Sequence, residues 1–348
     1  MLKIINQGFP PDWLWEKYNS KIIDTITQSI DKKFKDQNNL FVNTTWFGPS
    51  FDTGTYQKAL EYSSKIDNLF LYATVDPLYI APHDMVNFIK SMGNIKVFWI
   101  GNFDNSQHEF NFFAHVLSKE FIKYNNEDLI LSNIHYKYIN YNRKPRKHRV
   151  DLVKKILEEK LDHCGVNTLG KPDIIYDQDS NNTLFLTVGE KIEDYVKYGH
   201  WFDINQEDPT GIPHDVLSLH NMKYWQNHFL NIVSCTLFNP WEDVFVSESQ
   251  FKPIIGLRPF ILNGNTKTYQ WLRDRGFYTF NHYFDFADLE STENVHENII
   301  KVLHWLDKTD NNVLLNIYQD MLPLLIKNKE RFYEFALEES KKINDMFK

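Results

Sequence analysis

Two runs of residues in this chain carry types and spacings suited to chemistry. The first is NYNRKPRKHR, Asn140 to Arg149, where Arg143, Arg146 and Arg149 recur at every third position with Lys144, Lys147 and His148 between them. An amphipathic helix is expected directly after it. Cations at a helix start oppose the macrodipole, at about 0.3–1 kcal/mol each where exposed, and an anion held among them reverses the sign. A diphosphate is such an anion, because arginine grips phosphate oxygens through paired N–H groups and the helix amides add donors. A solvated basic turn, or a patch for an acidic partner, accounts for the same run without a ligand.

The second run is Ser234 to Phe280, SCTLFNPWEDVFVSESQFKPIIGLRPFILNGNTKTYQWLRDRGFYTF. It reads as a buried strand, a capped helix carrying an acid, a second strand, a glycine turn and another helix. Ser247 and Gln250 have capping-box spacing, the serine accepting from the third amide and the glutamine reaching back. Glu248 sits in the first turn, where a carboxylate accepts bonds from the two hydroxyls of a ribose; a favourable charge on the helix dipole explains it equally well. Pro253 limits the helix, and Arg258 to Leu262 enters the next strand. Gly264 then permits a turn conformation that other residues resist, Thr266 is placed to cap the next helix, and Gly276 to close it. Together the two runs suggest a sugar-nucleotide site.

These residues need a scaffold, and the chain's bulk properties bound it. At 348 residues two domains are expected. Hydrophobic residues at 42% and charged residues at 24% suit a soluble globular protein, and aromatics at 16% are high. The net charge of -8 argues against a surface built mainly to coat nucleic acid, while leaving room for a local basic cleft. The two cysteines, Cys164 and Cys235, stand alone in their neighbourhoods, which argues against a disulfide framework or a zinc site and fits a reducing, cytoplasmic setting. The N-terminal segment carries a Pro-Pro pair and acids too early for a signal peptide, and no segment reaches the roughly 18 apolar residues of a membrane span.

Short apolar runs alternate with helical patterns, as in α/β domains. In the first part strands are expected at Leu40–Thr44, Leu69–Thr74 and Lys96–Ile100, and helices at Trp13–Phe34, Tyr56–Ser64 and Met85–Met92. A second series has strands at Leu129–Tyr138, Leu184–Val188, Phe229–Ser234 and Arg258–Leu262. Its helix from about His148 to Leu161 gathers Val150, Val153, Ile156, Leu157 and Leu161 on one face. Gly189 to Pro213 reads as an irregular connection. From Asn294 the pattern is helical, with apolar stripes through Ile299, Ile300, Leu303 and Trp305 and through Leu322 to Ile326. The expected domains are residues 1–125, 126–293 and a helical 294–348, the first boundary falling in the polar run YNNED.

The pieces NRKPRKHR, FLNIVSCT, VSESQFKPI, PFILNG and LRDRGFYTF resemble glycosyltransferases of the fucosyltransferase and exostosin type, and more closely virus-encoded and bacterial glycosyltransferase-like proteins. The similarity covers roughly Leu129 to Asp285. It implies the GT-B architecture, two Rossmann-like domains facing across a cleft, here with C-terminal helices packing across them. It implies a nucleotide-sugar donor, a hydroxyl acceptor such as a glycan, inversion at the anomeric carbon and no bound metal or other cofactor. Carried onto this sequence, Arg143, Arg146 and Arg149 contact the donor diphosphate, and Ser247 and Glu248 correspond to the signature whose glutamate holds the ribose. Ser249 stands where that signature has a phosphate-facing lysine, and Lys252, one turn later, is the nearest replacement. The general base is expected on the N-terminal side, within about 3 Å of the acceptor hydroxyl. Asp52, Asp76 and Asp104, which follow expected strands or turns, are the first candidates, although each is also explained as an ordinary loop acid.

Asp177 and Asp179 have carboxylate-x-carboxylate metal spacing, but their polar stretch precedes a strand and reads as a loop. His214, His220 and His228 form no His-Glu-x-x-His frame, and no nucleophile elbow, P-loop or GxGxxG occurs. Two other functions fit the same residues. One is sugar transfer to hydroxylated bases of viral DNA, with nucleic acid as acceptor; the other is a non-catalytic nucleotide- or glycan-binding relative, motivated by Ser249.

Overall fold

A computed structural model of the chain describes residues 2–6, 13–43, 61, 65–73, 94–101, 108–142, 147–167, 219, 222–236, 238 and 244–348. The chain divides into two compact units, Met1–Val116 with Glu334–Lys348, and Leu117–Tyr333. Each is α/β around one parallel sheet.

In the first unit, β1 (Leu2–Asn6), β2 (Asn39–Asn43), β3 (Asn68–Ala73), β4 (Lys96–Gly101) and β5 (His108–Glu109) lie side by side in chain order. Leu40, Phe41 and Val42 are buried in succession, as are Leu69 to Tyr72, so both faces of the inner strands are covered. Helix α1 (Trp13–Lys33) buries Ile22, Ile26 and Ile30, one per turn. An aromatic cluster seals the unit: Phe70 and Phe98 stack at 4.8 Å, and Phe347 meets Phe70 edge-on at 5.3 Å. From the same C-terminal stretch, the Glu339 carboxylate accepts the Asn111 N–H at 2.5 Å.

In the second unit, β6 (Tyr136–Asn140), β7 (Gly165–Asn167), β8 (His228–Ser234) and β9 (Phe260–Asn263) take the order β7-β6-β8-β9, with every pair parallel. The chain moves from β6 outward to β7, then returns past β6 to β8. Such a reversal leaves a crevice at the carboxyl ends of the two strands it separates. The helices named below are α2 (Phe112–Glu120), α3 (Lys147–Glu158), α4 (Glu248–Ile255), α5 (Lys267–Asp274), α6 (Val295–Lys308) and α7 (Asn311–Asp345). Residues 294–333 belong to this unit and 334–348 to the first.

The expected strands at Leu40, Leu69, Lys96 and Phe229, and the helices at Trp13 and beyond Asn294, form within a residue or two of their expected bounds, and the helix expected at His148–Leu161 spans Lys147–Glu158. The strand expected from Leu129 starts only at Tyr136, because Asn126–Leu129 coils into a helical turn. On α3, Leu152 is buried where Leu157 was expected, and Leu157 is half-buried. The strands β1, β5 and β7 and the helix α2 were not anticipated. The expected helices at Tyr56 and Met85, the strand at Leu184 and the Gly189–Pro213 connection lie outside the described residues. Among the described residues no helix is long and apolar enough to cross a membrane.

One cation fastens the amino end of the second sheet. Arg258, fully buried just before β9, donates to the carbonyls of Leu129 at 2.6 Å, Leu257 at 2.9 Å and Trp225 at 2.8 Å, and to the Tyr318 hydroxyl at 3.3 Å. Burial pulls its guanidinium down to about 10, so it stays charged at neutral pH. The helix before it ends in an exchange of roles. Leu257 adopts the left-handed φ of 54° normally left to glycine, and the Arg258 N–H closes the turn on the Pro253 carbonyl at 2.9 Å. Gly256 stands one residue earlier because a Cβ there would lie 2.3 Å from the Trp225 ring, whose indole N–H bonds the Gly256 carbonyl at 3.0 Å. Beyond this corner α7 is tied on by the Asn328 amide, which accepts the Tyr278 N–H at 2.7 Å and donates to the Tyr278 carbonyl at 2.9 Å.

His228, at the start of β8, is fully buried against Trp225, with Nδ1 bonded to the Trp225 carbonyl at 2.9 Å. Burial and the Arg258 charge hold its imidazole well below the usual histidine range, which makes it a neutral core residue.

Two outcomes are expected. Gly256→Ala forces the Cβ into the indole and should cost about 1–3 kcal/mol in urea unfolding. Because His228 binds a proton readily only when unfolded, its contribution to stability is complete above about pH 6.5 and is lost as pH falls, at up to about 1.4 kcal/mol per pH unit. Comparing urea midpoints between pH 7 and pH 5 in the wild type and His228→Gln should therefore show a shallower slope in the variant.

Candidate functional site

At the carboxyl edge of the second sheet each strand ends in a polar side chain: Asn140, Asn167, Ser234 and Asn263, all buried. Parallel register sets them side by side, Asn140 opposite Asn167 and Ser234 opposite Asn263. They form one directed row. The Asn263 amide donates to Ser234 Oγ at 3.1 Å, Ser234 Oγ to Asn140 Oδ1 at 3.4 Å, and the Asn140 amide to Asn167 Oδ1 at 3.1 Å. Asn167 continues to the Tyr138 hydroxyl at 2.8 Å, which donates to the Leu161 carbonyl at 3.2 Å. Each donor is used, so this floor is rigid at low desolvation cost.

At the head of the row His296, from the first turn of α6, lies 3.1 Å by Nε2 from Asn263 Oδ1. The Asn263 amide group already faces Ser234, so its oxygen faces the imidazole and His296 is the donor. Burial lowers the His296 pKa and keeps the ring neutral at pH 7. Phe238 fills the space between His296, at 5.3 Å, and His148, stacked at 4.9 Å.

Of the basic run, Asn140–Asn142 and the start of α3 are described. Arg149 donates through Nη2 to the carbonyls of Ser234 and Cys235, each at 3.1 Å, and His148 Nε2 bonds the Cys235 carbonyl at 3.1 Å. Both side chains cap the carboxyl end of β8, where strand carbonyls would otherwise be unpaired. Arg143 and Arg146 lie outside the described residues.

The second run meets the same strand end. Gln250 Oε1 accepts the Ser247 N–H at 2.9 Å, the reciprocal half of the expected capping box, and also the hydroxyls of Ser247 at 3.2 Å and Ser249 at 3.0 Å. Its amide donates to Cys235 Sγ at 3.2 Å. Cys235 is therefore held from one side by Arg149 and from the other by the cap of α4. Burial pushes its thiol up to about 11, leaving it protonated and inert at neutral pH. Glu248 is the first residue of α4, half-buried, and its carboxylate has no hydrogen bond or ion pair among the described residues. Ser249 is committed to the cap, and Lys252 is buried at 5% exposure within α4.

Two details of the expected loop differ. Gly264 has no positive φ, so its conformational freedom is not used. Thr266 does not cap α5; its backbone is already helical, and Asn265 Oδ1 takes the Lys267 N–H at 3.1 Å instead. Gly276 closes that helix as expected, at φ 83°. Asp52, Asp76, Asp104, Asp177, Asp179, His214 and His220 lie outside the described residues.

The residues that the sequence reading missed are Asn140, Asn167, Asn263, His296 and Phe238. A signal for three of them was present, since YIN, GVN and ILN each close an apolar strand with asparagine. The arrangement gathers a guanidinium, the amide end of a helix and a carboxylate with no partner among the described residues around one strand end, residue types that can bind an anion and hydroxyl groups together.

In comparisons with known proteins the chain matches no protein-family model, no curated protein and no solved structure.

Gln250 is the tether of this corner. Gln250→Leu leaves the Ser247 N–H without its acceptor and should cost about 1–3 kcal/mol. The check is amide hydrogen exchange, in which the Ser247 amide should exchange faster than in the wild type.

Proposed function

We infer that this chain is a glycosyltransferase of the GT-B type that takes a nucleotide-sugar donor at the carboxyl edge of its second sheet and passes the sugar to a hydroxyl acceptor. The observation that carries this reading is the meeting of Arg149 and the Glu248-bearing helix start at Cys235, beside a strand-order reversal of the kind that holds nucleotides in open parallel sheets.

Each group has a role suited to that donor. Arg149, with Arg143 and Arg146 from the same basic run, opposes the diphosphate charge, which grows on the leaving group as the glycosidic bond breaks. Glu248, which has no hydrogen bond or ion pair among the described residues, accepts from the ribose hydroxyls. The row from Asn263 to Asn167 fixes the strand ends beneath them. In the reaction the acceptor oxygen attacks the anomeric carbon from the face opposite the nucleotide. The nucleoside diphosphate leaves with the bonding pair, and a carboxylate takes the acceptor's proton, giving inversion. Asp52, Asp76 and Asp104, which follow β2, β3 and β4 in the chain, are the proposed bases. Cations of the basic run serve in place of a metal at the diphosphate.

The test is a thermal-shift screen against UDP-, GDP-, CMP- and dTDP-sugars. A donor at about 100 times its Kd should stabilise the folded protein by about 2.7 kcal/mol. Glu248→Ala should abolish most of that shift and the associated transfer activity while leaving the unliganded midpoint within about 0.5 kcal/mol of wild type. No shift with any donor, or an unchanged shift in both Glu248→Ala and Arg146→Ala, overturns the assignment.

A further inference from the structure

A second cluster lies at the other end of the second sheet. His163 and Cys164, from the 3-10 turn Asp162–Cys164 ahead of β7, meet Asp307 in the last turn of α6. Their three potential ligand atoms, an imidazole nitrogen, a thiol sulfur and a carboxylate oxygen, all lie within 4.8 Å of one another. Around a zinc ion bound at about 2.0–2.3 Å these three atom types sit about 3.5 Å apart, so rotations of the exposed His163 side chain and of Asp307 close the set.

The hydrogen bonds of His163 orient its ring toward Asp307. Its Nδ1 is 2.7 Å from the Lys160 carbonyl, an acceptor only, so Nδ1 carries the proton. In the neutral ring Nε2 therefore presents its lone pair, and it lies 2.9 Å from Asp307 Oδ1. Two lone-pair atoms at that separation require a cation shared between them, either a second proton or a metal. An imidazole whose far nitrogen is fixed by a backbone carbonyl is the usual form of a metal-binding histidine.

The surroundings hold these positions. Lys160 takes the left-handed φ of 57° at the end of α3, which directs its carbonyl to the ring. The Leu161 N–H closes that turn on the Ile156 carbonyl at 2.9 Å. The Lys137 ammonium donates to the carbonyls of Leu306 and Asp307 at 2.7 Å and of Thr309 at 2.9 Å, capping α6 and fixing the backbone of Asp307. Thiolate and carboxylate together bring two negative charges, enough to neutralise a divalent ion beside that lysine.

We propose that His163, Cys164 and Asp307 form a binding site for a zinc-class divalent cation, with solvent in the fourth position, that pins the end of α6 to the turn leading into β7. Its role is structural, and it is separate from the donor site at the opposite edge. Binding releases the Cys164 thiol proton to solvent, and no electron transfer is involved.

Cobalt reports the site directly. Full-length protein stripped with a chelator and titrated with Co2+ should develop a near-ultraviolet thiolate-to-cobalt band that saturates at one ion per chain and is displaced by Zn2+. Cys164→Ser should lose the band, and His163→Ala and Asp307→Asn should bind about tenfold or more weakly. Zn2+ should raise the thermal midpoint of the wild type and not that of Cys164→Ser. Absence of the band at large cobalt excess overturns the site, as does a band that survives in Cys164→Ser and disappears in Cys235→Ser.

Discussion

The second unit depends on a buried positive charge held by neutral oxygens. Arg258 is buried without any carboxylate beside it among the described residues, and what keeps it there is a ring of carbonyl oxygens and one phenol. Those oxygens come from the turn at Leu129, the helical turn ending at Trp225, the end of α4 and, through Tyr318, from α7. A guanidinium is suited to this task because its planar fork can serve several acceptors at once, which an ammonium on a flexible stem cannot. Removing it would strand several buried carbonyls together, so four segments distant in sequence share one requirement.

The sheet is thereby polarised in function. Its amino end is closed by cations that satisfy backbone oxygens, Arg258 before β9 and Lys137 at the end of α6. Its carboxyl end is finished by short amide and hydroxyl side chains that satisfy one another. Above it Arg149 closes the carboxyl end of β8, and Glu248 opens α4 with no hydrogen bond or ion pair among the described residues.

Much of the scaffold is legible in the sequence. Strands such as NLFVN and HFLNIVS and the amphipathic stretch after Lys147 announce themselves through burial patterns that period and length decide. The cap at Ser247 and Gln250 and the closing glycine at Gly276 were equally plain, because each is a local bargain between neighbours. Local chemistry also misled. Thr266 looked like a cap until Asn265, one residue earlier, took the amide, and Gly264 looked like the strained glycine when the strain fell on Leu257. There Trp225, far back in the chain, occupies the space a side chain on Gly256 would need. The partners of Cys164, Arg258 and His296 were hidden for the same reason, since strand order alone brings them together.

The C-terminal stretch has a consequence for how the protein is made. Phe347 contributes a ring to the aromatic cluster of the first unit, against Phe34, Phe70, Phe98 and His108. Residues 1–116 therefore emerge from the ribosome long before their core can be completed, and the intervening 217 residues, Leu117–Tyr333, can settle ahead of them. Birth order and folding order run in opposite directions, and strands β1 to β5 must wait, exposed, for a ring translated only after the whole second unit.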